Sequence, residues 1–421
     1  MRKPDQWPTM VALTGILLVA LAACAASGNR DPAAPRFADG GPDATEYGAA
    51  EGYRISVIWR PRFFVGGFSH YDQLLDSRPI RRAATPSRLA RRPEPALSYE
   101  YQGQRRTLDE YLARNPTTGL IIARGDALLV ERYQYARNDR HRFTSFSMAK
   151  TVTAMLVGVA IADGHIRSVD DLAEAYVPEL AGTEYGRTSI RHLLQMASGV
   201  LFTENYSGHD DVARFFGDTV LHAGPGGADA VRPYNNRVRA AGAAFAYASV
   251  ETHVLGLVLR GAVGRPVAEY FREKIWEPIG AEADASWIVD RAGQEATYCC
   301  LNAVLRDYAR LGLLLAHDGA WRGRQLIPAA WVVEATSLRE GRPEFWVGGI
   351  DVLAGYGYQV WLLPGSRRMF VLLGVHGQAI FVDPASRLVM VHTAVRQHAR
   401  DIGPESFALW RAVVTQLGTP G

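Results

Sequence analysis

Ser147 and Lys150 stand three positions apart in the stretch Phe143-Thr144-Ser145-Phe146-Ser147-Met148-Ala149-Lys150, which opens a long apolar run. On a helix that spacing puts both side chains on one face. A serine hydroxyl is a poor nucleophile until a base takes its proton. Lysine can be that base only where burial and the positive end of a helix keep its ammonium deprotonated part of the time. From Met148 to Ile161 Lys150 is the one charged residue, so its head group is expected in the interior.

The basic residues sharpen this reading. Of 46 Lys and Arg, only Lys3, Lys150 and Lys274 are lysines. Arginine cannot be deprotonated in a protein. A chain that writes Arg almost everywhere thus keeps a lysine where the chemistry would require one. With 18 serines and three lysines in 421 positions, chance supplies about 0.1 Ser-x-x-Lys matches. The competing explanation is an N-capping serine followed by a surface lysine, which the apolar surroundings disfavour.

Further segments line up behind this pair. They are His192-Leu193-Leu194-Gln195-Met196-Ala197-Ser198-Gly199-Val200, Tyr247-Ala248-Ser249, and Phe370-Val371-Leu372-Leu373-Gly374-Val375-His376-Gly377-Gln378. Their order and spacing resemble the serine β-lactamases, D,D-peptidases and related esterases, in the class C branch that includes hydrolases of nylon-type oligomers. The likeness runs from about Thr118 to the C-terminus. It implies a nucleophile at Ser147, with Lys150 and Tyr247 sharing the acid–base work. If Gly374 is the glycine of the third motif, the backbone NH of Val375 joins that of Ser147 as an oxyanion hole. The family's cation at that motif is replaced by Leu372. A substrate carboxylate, such as penicillins carry, therefore lacks its usual partner. Ser249 is open to two readings, a cap for the adjoining helix and a substrate contact. His376 likewise either lines the site or occupies a turn.

Elements must hold these residues. Gly119–Ala123 and Ala127–Tyr133 read as a hairpin around Arg124-Gly125-Asp126, a turn rather than an adhesion signal. Helices are expected over 147–163, 188–197, 249–262, from Pro266, and over 302–317, most stopped by glycine. Strands are expected over 356–363, 369–375, 379–382 and 388–393, followed by a helix over 405–417. Strands from both ends with helices between them imply an α+β fold, one antiparallel sheet closed by distant segments with an inserted helical subdomain. This is the β-lactamase/transpeptidase-like arrangement that the resemblance also implies. Strand and helix do not alternate as in nucleotide-binding folds, and there is no Gly-x-Ser-x-Gly elbow.

The bulk numbers exclude more than they assert. A net charge of +3 with no long basic run argues against nucleic-acid binding. The histidines are scattered, and no CxxC or HExxH is present, so neither metal nor other cofactor is expected. Arg2 and Lys3, the apolar run Met10–Leu21 and the small residues before Cys24 form a signal peptide over 1–23. Leu21-Ala22-Ala23-Cys24 looks like a lipobox with Cys24 as the lipidated residue. The alternative is ordinary cleavage with Cys24 lost. Lipidation implies an exported bacterial lipoprotein of the cell envelope. By resemblance to sorted lipoproteins, Ala25 favours the outer membrane, periplasmic side. Residues 24–95, rich in Gly, Pro and Arg, read as a linker and extended arm, and 96–421 as the hydrolase domain. Cys299 and Cys300 are expected as two small buried residues, since neighbours do not readily pair.

The expected activity is hydrolysis of a small-molecule ester or amide through an acyl-enzyme. A D,D-peptidase or β-lactamase is the rival enzyme. A catalytically inactive, membrane-tethered binding module is the rival of another class. Oligomeric state is not readable from these residues.

Overall fold

A computed structural model describes residues 59–338 and 352–418. The signal segment and Cys24 lie outside the described residues. Period-2 alternation in the strands and two helical layers explain the architecture. Eight strands pair in the order Gly355–Tyr356, Trp361–Leu362, Phe370–Gly374, Gln378–Asp383, Leu388–Ala394, Thr117–Arg124, Ala127–Tyr133 and Ala90–Arg91. In chain order we call Thr117–Arg124 β1, Ala127–Tyr133 β2, Phe370–Gly374 β3, Gln378–Asp383 β4 and Leu388–Ala394 β5. The two ends of the chain meet where β5 runs antiparallel to β1, with Met390 opposite Ile122 and Val391 opposite Ile121. All pairs are antiparallel except the short edge Ala90–Arg91, which runs parallel to β2.

Both faces of this sheet are buried, because each strand alternates between two apolar layers. Ile121, Leu372, Ile380, Val389 and Val391 face the larger core. Leu120, Ile122, Val371, Phe381 and Met390 face the smaller one. Four helices frame the sheet and the candidate site: α1 (Ala149–Ala162), α2 (Ser249–Val263), α3 (Leu305–Ala316) and α4 (Pro404–Leu417). The smaller core is capped by α4 through Phe407, Trp410 and Val413. On the other side α3 lies close to the sheet because Gly312 carries no side chain. A Cβ there would sit 2.5 Å from Val389 and 2.9 Å from Ile380.

Helix α1 is buried almost all round, as its unbroken apolar composition demands. It packs against α2 and against Trp331, whose ring fills the space left by Gly158. A second, four-stranded sheet runs Ser77–Ile80, Ala285–Ile288, Leu301–Val304, Arg142–Thr144. It carries the chain into the turn before α1.

Several expectations needed correction. Residues 301–304 are a strand, and α3 starts at Leu305 rather than 302. Asn302 is spent on that strand, its amide donating to the Cys300 carbonyl. The stretch 356–363 is not one strand but two short ones broken by a turn at Gln359, φ 58°. The helix expected over 188–197 is reduced to Ile190–Leu194, capped by Ser189. The arm is less extended than expected: Phe64–Ser69 and Tyr71–Leu74 are helical, and Phe64, Phe68 and Tyr71 enter the larger core.

Candidate active site

Ser147 lies in a one-turn 3₁₀ segment, Phe146–Met148, that leads into α1. The turn is anchored on both sides. The Ser145 NH donates to the Leu301 carbonyl, and the Leu301 NH donates to Ser145 Oγ. Phe146 adopts φ 41°, a left-handed backbone that a bulky residue enters only when its surroundings enforce it. Its ring is held by Phe68 at 4.9 Å and Tyr71 at 5.9 Å. Ser147 is left half-exposed while Lys150 beneath it is 1% exposed.

Lys150 Nζ donates to Ser147 Oγ at 2.9 Å and to the Tyr298 carbonyl at 2.9 Å. The ammonium also sits 5.0 Å from the Tyr247 ring centroid and 5.5 Å from that of Tyr298. Burial pushes the lysine down to about 8, with the Glu204 carboxylate pulling the other way. Tyr247 stands near Ser147, and burial and then Glu204 hold its phenol well above the usual tyrosine range. The three residues read from the sequence as a catalytic group are thus within reach of one another.

Tyr247 is positioned by the segment around Met196. The Ala246 NH donates to the Met196 carbonyl, and the Ala248 NH reaches the Met196 sulfur at 3.4 Å. These two contacts bracket the tyrosine. Ser198 donates to Glu251 on α2 at 2.6 Å, tying the same segment to that helix. Gln359 completes the frame. Its side-chain amide donates to the Leu193 and Leu194 carbonyls, its side-chain oxygen accepts from Thr252, and its backbone carbonyl accepts from Thr151 of α1. On its other flank Tyr247 stacks on Trp361, centroids 5.4 Å apart, beside Tyr356.

Gly374 shows why the third motif needs glycine. A Cβ at this position would lie 2.5 Å from the Ser145 carbonyl and 3.1 Å from Phe146. The end of β3 therefore runs hard against the turn that holds Ser147, which brings the backbone of Val375 alongside it. Leu372, two residues earlier, is 1% exposed in the larger core.

The structure speaks to both open readings: Ser249 lies in the first turn of α2, and His376 occupies the turn after β3. Ser249 is not the N-cap of α2, which is Ala248, but its first residue. Its NH and hydroxyl both donate to Glu204, at 2.6 and 2.8 Å, so a carboxylate from a distant loop caps this helix. That hydroxyl is occupied and buried rather than offered to a substrate. His376 is 5% exposed, with φ 62° and Nδ1 donating to the Arg396 carbonyl at 2.6 Å. Burial pushes it down to about 4, so it is neutral at pH 7 and supplies no cation.

Glu204 was missed in the sequence reading, where it is one acid in a polar loop. In the structure it sits at the hub of the site. Besides Ser249 it accepts from the Tyr206 hydroxyl at 2.8 Å, and its charge acts on Lys150, Tyr247 and Tyr356. The cysteines also needed correction. Cys299 and Cys300 are joined in a disulfide between neighbours. Cys300 takes φ 66°, and the Trp287 indole donates to the Cys299 carbonyl at 2.8 Å. The bonded pair comes directly after Tyr298, whose carbonyl holds Lys150.

Comparison with known proteins agrees with this fold. The family model described as Beta-lactamase matches residues 105–412. A 6-aminohexanoate-dimer hydrolase of Paenarthrobacter ureafaciens is 27% identical over 340 residues, covering 77% of this chain and 83% of the relative. A solved structure from Bacillus anthracis, assigned as a 6-aminohexanoate-dimer hydrolase, superposes with TM-score 0.75 at 22% identity, over 85% of this chain and 96% of that one. A family VIII carboxylesterase has TM-score 0.56 at 19% identity, and a penicillin-binding protein homologue of Caulobacter crescentus has 0.55 at 18%; each comparison covers 72% of this chain and 93% of the other. With the serine, lysine and tyrosine gathered on this fold, the chain belongs to the β-lactamase family of serine hydrolases.

Proposed function

We propose that the protein hydrolyses a small-molecule ester or amide through an acyl-enzyme on Ser147. The observation that carries this reading is the 2.9 Å contact from Lys150 Nζ to Ser147 Oγ, made by a buried lysine whose pKa is brought down to about 8. In its neutral form Lys150 takes the Ser147 proton as the oxygen attacks the carbonyl. The carbonyl oxygen gathers charge against the backbone NH groups of Ser147 and Val375. Tyr247, still protonated at neutral pH, gives its proton to the departing oxygen or nitrogen and is recharged from the Lys150 ammonium. In the second half water enters on the leaving-group side. The same pair takes its proton, and Ser147 is released with its own proton restored.

The substrate class is set by what flanks the site. Leu372 stands at the third-motif position and His376 is neutral, so neither pairs with a substrate carboxylate. This favours neutral esters and simple amides over penicillins. Relatives named as a carboxylesterase and as a 6-aminohexanoate-dimer hydrolase support the bond type, ester or amide, rather than the absence of charge. We further propose that the chain is exported and tethered to the outer membrane by lipid on Cys24, the reading that its first 25 residues support.

Purified protein should hydrolyse p-nitrophenyl butyrate with a kcat/KM at least about a hundredfold above that for nitrocefin. A nitrocefin value equal to or above the ester value would overturn the preference and favour the β-lactamase reading.

A further inference from the structure

Phe146, the residue before the proposed nucleophile, lies beneath aromatic rings that the acyl-transfer chemistry leaves unused. The lower layer is closed. Phe64, Phe68 and His376 are buried and packed together, with Phe68 4.9 Å from Phe146 and 5.2 Å from His376. The upper layer is open. Trp59, from the N-terminal arm, sits 6.4 Å from Phe146 and 6.2 Å from His376, yet is 43% exposed. It meets Phe216 edge to face at 5.5 Å, with 67° between the planes. Two rings at that angle make a corner, and a third flat apolar group fits against both by stacking on one and meeting the edge of the other.

Position relative to Ser147 says which part of a substrate this corner meets. The leaving group must reach Tyr247 for its proton, and that flank is walled by Tyr356 and Trp361. The Trp59 corner lies against Phe146 and His376, the sequence neighbours of Ser147 and Val375, whose backbone NH groups are assigned above to the oxyanion hole. We propose that Trp59 and Phe216 form the acyl subsite and select substrates with a flat, uncharged aryl or arylalkyl acyl group. The proposal deepens the hydrolase reading and rests on it.

The test holds the leaving group constant and varies the acyl group. Wild type, Trp59→Ala and Trp59→Phe are assayed on p-nitrophenyl acetate and p-nitrophenyl phenylacetate. Wild type should favour phenylacetate. Trp59→Ala should lower the phenylacetate-to-acetate ratio of kcat/KM about tenfold, and Trp59→Phe by no more than about threefold. Phe216→Ala, which leaves the arm untouched, should lower the same ratio and covers the case in which Trp59→Ala fails to fold. An unchanged ratio, or an equal loss on both esters, overturns the subsite alone. Wild type that cleaves neither ester and takes no fluorophosphonate label overturns the hydrolase reading, and this inference with it.

Discussion

Lys150 can be tested through its charge as well as its presence. With a pKa of about 8, about a tenth of the lysine is neutral at pH 7 and about nine tenths at pH 9. The rate constant for labelling of Ser147 by a fluorophosphonate should therefore rise about tenfold between pH 7 and 9, and level off above. In Lys150→Arg the base cannot deprotonate, so the rate should fall about 10²–10⁴-fold and the rise with pH should vanish. Stability supplies an independent reading. The folded pKa lies below the unfolded one, so the unfolded chain binds more protons between the two, and stability rises as pH climbs from about 8 to 10.5. Below 8 the fold carries the full cost of the buried charge. That difference, 10.5 less about 8, is roughly 3 kcal/mol. Lys150→Met removes this cost but strands the Tyr298 carbonyl, at about 1–2 kcal/mol. The variant should gain about 1–2 kcal/mol at pH 7 and melt a few degrees higher. A flat labelling profile from pH 6 to 9, or a wild-type midpoint above 10, would refute this account of the base. A Lys150→Met protein less stable than wild type would refute the buried-charge part.

Three further outcomes are expected from the same geometry. Glu204→Gln removes the carboxylate that raises the pKa of Lys150, so the midpoint of the labelling profile should move to lower pH; an upward shift contradicts the assignment. Protein unfolded in iodoacetamide without reductant should show Cys299 and Cys300 unmodified by peptide mass, and both alkylated after reduction; alkylation without reductant contradicts the disulfide. Burial pushes both His376 and His392 down to about 4. The unfolded chain takes up protons near the ordinary histidine value, so stability present above about 6.5 is lost as pH falls toward 4. The fall in melting temperature from pH 7 to pH 5 should be smaller in His392→Gln than in wild type; an equal fall contradicts this.

Legibility in the sequence tracked how local the cause was. Ser147-x-x-Lys150 could be read because three residues of helix place both groups, and because an arginine-rich chain makes a retained lysine conspicuous. The hairpin at Gly125 and the stop of α2 at Gly264, φ 68°, were readable for the same reason. Glu204 was not, since its role comes from reaching Ser249 across 45 positions, and no local pattern marks that contact. Gln359 sits in what reads as strand, and its left-handed turn is enforced by bonds to Leu193, Leu194 and Thr252. His376 comes after a glycine-containing strand motif, which suggested the site, yet three buried phenylalanines enclose its ring. The Cys299–Cys300 bond ran against the default for neighbours, and the left-handed backbone of Cys300 accompanies it.

Intact-protein mass after exposure to a fluorophosphonate, on wild type and on Ser147→Ala, tests the central claim most directly. The account predicts a single adduct on wild type and none on the variant. An adduct that persists in Ser147→Ala, or a folded wild type that takes none, would contradict it.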